Sequence, residues 1–330
     1  MYQTKDIAVV ILNWNGKSLL QQFLPSVIKN SDQASIYVAD NGSTDNSVDF
    51  VSEHFSSVKL IRNTHNGGYA KGYNDALQHI KEPLLCLVNS DIEVTLNWLK
   101  PILEEFNTCT DTAIIQPKIL DFKNKSRFEY AGAAGGYIDK YGYPYCRGRI
   151  FETIEEDNGQ YNDTKTIFWA SGACFFIKSS VFKALNGFDE TYFAHMEEID
   201  LCWRAFNRNY KTKYIGTSTV YHVGGATLKT TNPKKTYLNF RNSLFTLVKN
   251  TDSNVFLRTV VRMKLDGIAA IRFLFQLKPR YFLAILKAHG AFYININRLL
   301  KQRKQLPKQP KYYETNSIVW SYFIKKRTKF

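Results

Sequence analysis

Four times in its first 107 residues the chain repeats one unit: a short unbroken apolar run, a polar cluster, then apolar residues at helical spacing. The first run is Ile7-Ala8-Val9-Val10-Ile11-Leu12, followed by a helical pattern at about 17–30 that puts Leu19, Leu20, Phe23, Leu24, Val27 and Ile28 on one side. The unit recurs as strand 35–39 with a helix near 45–54, strand 58–61 with a helix near 70–80, and strand 84–88 with a helix near 96–107. Runs this apolar are strands buried on both faces. Strand–helix repetition at this spacing predicts an α/β fold, a mostly parallel sheet flanked by helices. Ligands of such sheets sit beyond the carboxyl ends of the strands. The polar clusters that end the strands are Asn13-Trp14-Asn15, Asp40-Asn41-Gly42-Ser43-Thr44-Asp45, Asn63 to Gly68, and Asn89-Ser90-Asp91. They are expected to converge at one edge.

The rest of the chain changes character twice. Across 120–165, glycines such as Gly132, Gly135 and Gly148 mix with tyrosines and no period emerges, so loops are expected. Order returns with a strand-like run at 167–177, helices near 179–185 and 197–208, and a short strand near 213–215 leading to Tyr221-His222-Val223-Gly224-Gly225. A boundary near 235 separates a 1–234 domain from a basic helical region, 235–330. Within the domain a first half reaches to about 118 and a second covers 119–234. Beyond the boundary lie helical stretches at about 236–276 and 280–303 and a Lys/Pro-rich link at 304–311.

Charge marks the same boundary. From Lys235 onward there are 20 basic and 3 acidic residues, whereas the preceding part holds 24 and 26. Such asymmetry points to a polyanionic partner: nucleic acid, an anionic membrane face, or a phosphate-bearing substrate. The 5 cysteines include no CxxC pair. This argues against a disulfide framework or zinc cluster and fits a reducing cytoplasm. No secretory pattern opens the chain, and no uncharged apolar run reaches the roughly 18 residues of a transmembrane helix. The chain is expected to be soluble or to lie on a membrane.

Each chemistry-bearing residue has two readings. Asp40, directly after a strand, can accept a base N–H or ribose hydroxyl, or can serve as a turn or N-cap aspartate. The oxygen-rich Asn89-Ser90-Asp91 suits Mg²⁺ or Mn²⁺ bridging phosphates, or is a local turn. His222 can partner a carboxylate on Mn²⁺, or be a core histidine. The acidic Glu197-Glu198-Ile199-Asp200 either complements a helix dipole or supplies a general base. Asn66-Gly67-Gly68-Tyr69-Ala70, with Gly72 and Asn74, joins a loop to a helix whose N-terminus attracts phosphate. It is neither GxGxxG nor a Walker loop.

Taken in order, these segments resemble the family 2 inverting glycosyltransferases of GT-A fold, particularly the bacterial rhamnosyltransferase-like branch. The matching pieces run from Val9–Gly16 through Asp40–Asp45, Asn66–Ala70 and Leu87–Asp91 to Ser171-Gly172-Ala173, Gly187-Phe188-Asp189-Glu190, Glu197–Arg204 and His222–Gly225. The resemblance implies a GT-A nucleotide-binding domain, whose first half is the nucleotide-binding half and whose second is the acceptor half, with a basic helical extension. It implies that Asp40 holds the nucleotide base, with Asn13 and Asn15 around the nucleotide and Asn66, Gly67, Asn74 and Asn89 in the donor site. Asp91 and His222 would bind Mg²⁺ or Mn²⁺ on the diphosphate. Glu198 would be the general base, with Asp200 in reserve, and Gly172 would shape the pocket. Two positions depart from the family pattern: Asn89 replaces the first Asp of the metal motif, and Glu198 replaces an Asp. The implied partners are a UDP- or dTDP-sugar donor and an acceptor that is a glycan or a glycan carried on a polyprenyl diphosphate.

The basic region keeps two readings. Val255, Phe256, Val260, Val261, Leu265, Ile268 and Phe273 recur at helical spacing, as do Phe282, Leu286, Phe292, Ile296 and Leu300. They pack on the catalytic domain, or they form an interfacial helix pair with snorkelling cations on an anionic membrane. Without zinc spacing or an RNP-type motif, nucleic acid is not expected as the partner. A cytoplasmic enzyme peripheral to the inner membrane face follows. The alternatives are a nucleotidyltransferase, disfavoured because Lys17 is the lone cation after the first strand, and a non-catalytic nucleotide- or carbohydrate-binding protein.

Overall fold

A computed structural model describes residues 1–224, 232–252 and 254–330. The expected strand–helix units are present. They are β1 (Ile7–Asn13), α1 (Lys17–Asn30), β2 (Ser35–Asp40), α2 (Ser47–His54), β3 (Lys59–Arg62), α3 (Gly68–Leu77), β4 (Leu84–Asn89), a short β5 (Ile92–Val94) and α4 (Lys100–Thr108). Then come β6 (Thr112–Asp121), four short strands β7 (Gly136–Ile138), β8 (Pro144–Cys146), β9 (Arg149–Ile150) and β10 (Thr153–Ile154), and β11 (Thr164–Ile167). The acceptor half closes with β12 (Cys174–Lys178), α5 (Ser179–Ala184), α6 (Glu197–Phe206) and β13 (Lys211–His222). The C-terminal part is helical: α7 (Pro233–Asn250), α8 (Val255–Phe275), α9 (Pro279–Gln305) and α10 (Ile318–Phe323).

Among the described residues, the main sheet has nine strands in the order β11-β13-β6-β12-β4-β1-β2-β3, with β5 added to β13. β3, β2, β1 and β4 are parallel, as are β6 and β13, while β12, β11 and β5 run against them. Alternation along the strands builds two cores. Ile7, Val9 and Ile11 face a layer containing Leu20, Val51, Trp98 and Ile102. Ala8 and Val10 face the other, with Tyr73, Trp203 and the short strands. That second core continues past position 235 into Leu244, Phe245, Phe292, Tyr312 and Ile318.

Several elements differ from expectation. The run at 167–177 is two strands, β11 and β12, parted at 168–173, where the chain leaves the sheet and passes the site. The 120–165 stretch carries a small antiparallel sheet, β10-β9-β8-β7. β6 was not expected because Gln116, Pro117 and Lys118 interrupt its apolar run, yet Gln116 and Lys118 are buried. Gln116 is satisfied by the Gly132 carbonyl and the Ser171 amide, and Lys118 by Asp157 at 2.7 Å. The expected short strand at 213–215 is the start of twelve-residue β13, whose pairing with β6 jumps between Ile215 and Thr219. Such a bulge hides a long strand from a period-2 reading. The 236–276 stretch is divided into α7 and α8.

The helical part grips α6 by charge. Asp200 is fully buried and accepts from Arg204 Nε at 2.8 Å, Lys249 Nζ at 2.9 Å and Asn250 Nδ2 at 2.8 Å, the last two from α7. Burial alone would raise this carboxyl, but Lys249 and Arg204 outweigh it and hold it below its ordinary value. Asp200→Ala leaves two cations buried without their carboxylate and is expected to cost about 3–5 kcal/mol, measured by urea unfolding at neutral pH.

Candidate active site

Register brings the strand-end clusters together. Asn13 pairs with Asp40 across β1 and β2, and Leu12 with Asn89 across β1 and β4. The buried Asn13 amide donates to Asp40 Oδ1 at 3.2 Å and to Ser47 Oγ at 2.9 Å, while Asp40 Oδ2 accepts the Ser43 amide at 3.0 Å. Asn15, with φ 51°, ties the next loop to β2's end by accepting from Thr44 N at 2.7 Å. Asn66 Oδ1 receives Gly68 N at 2.9 Å and Asn41 Nδ2 at 3.1 Å, fixing the entry to α3, where Gly67 is the N-cap. These residues form one polar edge. Asn74 is placed elsewhere: its amide clamps the Phe188 backbone at 2.9 Å in both directions and reaches Glu190 at 3.1 Å.

A second corner lies where β5 pairs with β13. His222 sits opposite Ile92, next to Asp91, and its Nε2 is 3.1 Å from Asp91 Oδ1. Asn89 Nδ2 is 3.4 Å from the same nitrogen, and Nδ1 on the far side is 3.3 Å from Glu129 Oε1. Burial alone would lower the imidazole's proton affinity; the Glu129 and Asp91 carboxylates overcome it and push His222 up to about 10. His222 in turn holds Asp91 below its ordinary value against the effect of burial. The pattern fits a hard divalent ion. Two ligands about 2.1 Å from an octahedral metal stand roughly 3 Å apart, the separation seen here. A carboxylate behind the far imidazole nitrogen is the usual outer support of a metal-bound histidine. Among the described residues no group of three or more His, Cys, Asp or Glu is disposed to hold a metal. Glu129, in the aperiodic 120–165 stretch, gave no sequence signal. Gly225 lies outside the described residues.

The third corner is the start of α6. Glu197 is buried and Glu198 partly so, and each has one carboxyl oxygen without a hydrogen-bond partner among the described residues. Burial pushes Glu198 up to about 7 against the pull of nearby backbone N–H groups. Burial and the charge of Glu198 push Glu197 well above the carboxylate range. Asp200, named above as the reserve base, turns the other way and is spent on Arg204, Lys249 and Asn250, so its role is to anchor α6. Gly172 borders Glu198: a Cβ there would lie 3.7 Å from Glu198 Cδ and 3.2 Å from Tyr69 Oη. The next residue, Ala173, accepts from Asn89 N at 2.9 Å. Ser171-Gly172-Ala173 thus forms a wall shared by the acidic corner and the Asn89 corner.

The approach to α6 is strained. Phe193, His195 and Met196 all have positive φ (63°, 70° and 74°), a costly conformation for bulky residues. α7 holds it: Asn242 Nδ2 donates to the carbonyls of Tyr192, Ala194 and His195 at 3.1, 3.0 and 2.7 Å, and Arg241 to those of Thr191 and Tyr192. From the other side Tyr69 N donates to Phe193 O at 2.7 Å. That approach leaves room only for glycine at 68, whose φ is +80° and whose Cβ would fall 2.4 Å from Phe193 O.

With this geometry in hand, the comparisons with known proteins are specific. Residues 8–185 match Glycosyl transferase family 2, so the chain belongs to that family. It is 22% identical over 234 residues to an N-acetylglucosaminyl-diphospho-decaprenol L-rhamnosyltransferase of Mycobacterium tuberculosis, covering 66% of this chain and 76% of that one. It is 22% identical over 291 residues to the low-salt glycan biosynthesis hexosyltransferase Agl10 of Haloferax volcanii, covering 84% and 87%. Its fold is GT-A. The structure of TarS 1-349 from S. aureus in complex with UDP-GlcNAc matches 90% of this chain and 83% of its own at a TM-score of 0.57 and 14% identity. The mannosyltransferase PcManGT from Pyrobaculum calidifontis, in complex with GDP-Man and Mn²⁺, matches 87% of each chain at 0.54 and 11%.

The folded protein keeps the Glu198 proton up to about pH 7, whereas an unfolded glutamate releases it near 4.5. Ionisation of this buried group therefore costs stability as pH rises through that window. Glu198→Gln is expected to raise stability at pH 8 by roughly 1–3 kcal/mol and to be near neutral at pH 4.5, as thermal melts at the two pH values will show. Equal destabilisation at both would contradict this assignment.

Proposed function

We propose that this chain is an inverting, metal-dependent glycosyltransferase. It moves a sugar from a UDP- or dTDP-sugar to a hydroxyl of a glycan acceptor carried on a polyprenyl diphosphate. The observation that carries the reading is Glu198: a carboxylate with an unpartnered oxygen and an affinity near neutrality, bordered by Gly172, across a shared wall from the Asn89 corner. Asp40, held by Asn13 and Ser43, takes the nucleotide base, and Asn15, Asn66 and Gly67 shape the loops around it. Asp91 and His222 would hold Mg²⁺ or Mn²⁺, which supplies charge neutralisation for the departing diphosphate. Glu198 takes the proton of the acceptor hydroxyl as that oxygen bonds to the anomeric carbon. The bond from that carbon to the diphosphate oxygen breaks on the opposite face, and the electron pair leaves with the nucleoside diphosphate. One displacement inverts the centre, and Glu198 ends protonated.

The known proteins it resembles support this reading. One is named for a lipid-linked acceptor, and solved neighbours hold UDP-GlcNAc, or GDP-Man with Mn²⁺. A place in surface-polysaccharide assembly, on the cytoplasmic face of the cell membrane, follows from such an acceptor.

The test is nucleoside diphosphate release across a panel of nucleotide-sugars with Mn²⁺, Mg²⁺ or EDTA. One donor is expected to turn over and to fall silent with EDTA. Asp91→Ala is expected to lose most activity, and Glu198→Gln to lose on the order of 10²–10⁴-fold. In the wild type, kcat/KM is expected to rise with pH through about 7 as Glu198 ionises. Absence of both turnover and calorimetric nucleotide binding would overturn the donor-site assignment. Binding without turnover, even with a lipid-linked acceptor present, would leave a protein that only binds.

A further inference from the structure

α8 is packed inside out. The residues it buries include Arg258, Arg262 and Asp266, with Arg262 at 2% and Asp266 at 0% exposure. Arg262 and Asp266 are occupied inward. Arg262 Nε meets Asp266 Oδ1 at 2.8 Å, Tyr143 Oη donates to the same oxygen at 2.6 Å, and the Arg262 guanidinium lies 3.7 Å from the Tyr143 ring centre. Its outward face is largely apolar: Leu257, Ile268, Ile271 and Phe275 share it with the exposed Lys264, and Phe275 is 85% exposed. Of the stripe read from the sequence, Val255, Val260, Val261, Leu265 and Phe273 are half-buried, whereas Phe256 and Ile268 are exposed.

The turn into α9 continues the pattern. Leu277 is 88% exposed and adopts φ 56°, a left-handed conformation with no interior contact to offset its cost. The turn is nevertheless rigid: the Phe273 and Tyr281 rings stack at 5.1 Å, and Lys278 N donates to Phe273 O at 2.9 Å. Leu283 and Leu286 are exposed on the first turns of α9. Around this apolar tip stand Arg272, Lys278, Arg280 and Lys287, with no acidic residue between Gly267 and Tyr313. The Arg272 guanidinium lies 5.2 Å from the Phe323 ring of α10, so exposed Trp320 and Ile324 and the basic run Lys325-Lys326-Arg327 join the same end of the molecule. Among the described residues no helix is long and apolar enough to cross a membrane.

We infer that the tip of the α8–α9 hairpin, with α10 beside it, is the surface that seats this protein on an anionic lipid bilayer. Apolar side chains enter the headgroup boundary and the surrounding cations engage lipid phosphates, the arrangement of an interfacial amphipathic element. The charge decides the occupant. An apolar face whose own two helices carry only cations between Gly267 and Tyr313 is disfavoured against a second copy of itself and is complementary to anionic headgroups. The inference deepens the function proposed above, since it places that site at a membrane, but it stands on residues outside the catalytic corners.

The experiment is co-sedimentation of the full chain with vesicles of phosphatidylcholine alone or with about one third phosphatidylglycerol. The comparison includes Phe275→Ser with Leu277→Ser, and Lys278→Glu with Arg280→Glu. Binding to the anionic vesicles is expected to exceed that to phosphatidylcholine at least tenfold and to weaken with salt. Each double variant is expected to lose at least tenfold, while its melting temperature and its hydrolysis of soluble nucleotide-sugar stay as in the wild type. Equal binding by the variants, or no binding by the wild type, overturns the inference and leaves the transferase reading intact. A wild-type dimer in light scattering that both variants dissolve also overturns it, in favour of a second copy. Donor turnover that fails while vesicle binding holds counts against the function and not the surface.

Discussion

The fully buried carboxylate of Asp200 ties the molecule together. It sits on α6, the helix that begins with Glu197 and Glu198, and it is neutralised by Arg204 of the same helix and Lys249 of α7. A buried charge is tolerated only when its partners arrive in good geometry. α6 therefore takes up its position only when α7 is docked. Asp189 adds a second carboxylate on Lys249 at 2.7 Å, so the turn leading toward α6 is pinned to the same ammonium. What the sequence offers as a C-terminal extension is thus a structural condition for the start of α6.

Two residues apart on that helix, carboxylates have opposite fates. Glu198 is raised because it is desolvated without a cation, whereas Asp200 is lowered because cations surround it. Environments that push neighbouring acids apart are how a fold assigns chemical roles. Glu197 sharpens the division, since two adjacent buried carboxyls resist ionising together. The Asp91–His222 corner follows a different rule. There His222 is sandwiched between Asp91 and Glu129, and a divalent ion would take the place of its proton.

Legibility followed physical simplicity. The parallel strands β1 to β4 could be read because each is an apolar run ended by polar residues, and their register brings Asn13, Asp40 and Asn89 to one edge as expected. Glu198 and His222 could be singled out because they stand in short local motifs; the structure adds that one is desolvated and the other lies between Asp91 and Glu129. Asp200 could be held in reserve as a base because its two cationic partners, one remote and one hidden in the helical repeat, leave no mark beside it in the sequence. Glu129 was illegible, since nothing local marks a carboxylate whose meaning comes from a histidine 93 positions later. β6 was masked by buried polar residues whose partners lie in other elements. The direction of α8's apolar face was equally closed to pattern reading, because periodicity reveals that a stripe exists and not which way it looks.

The bulge in β13 has one more meaning. Between Ile215 and Thr219 the strand advances four residues while β6 advances one, from Pro117 to Lys118. The surplus is three, an odd number, and side chains on a strand alternate faces with a period of two. Passing the bulge therefore exchanges the strand's two sides relative to β6, and His222 inherits the side on which Asp91 waits. The ligand corner is encoded by parity as much as by residue identity. Both the number and the letters of the bulge carry information: a Cβ at Gly216 would fall 2.3 Å from Tyr161 O, and buried Ser218 donates to Trp98 O at 2.7 Å, so an insertion or deletion here would move His222 without touching it.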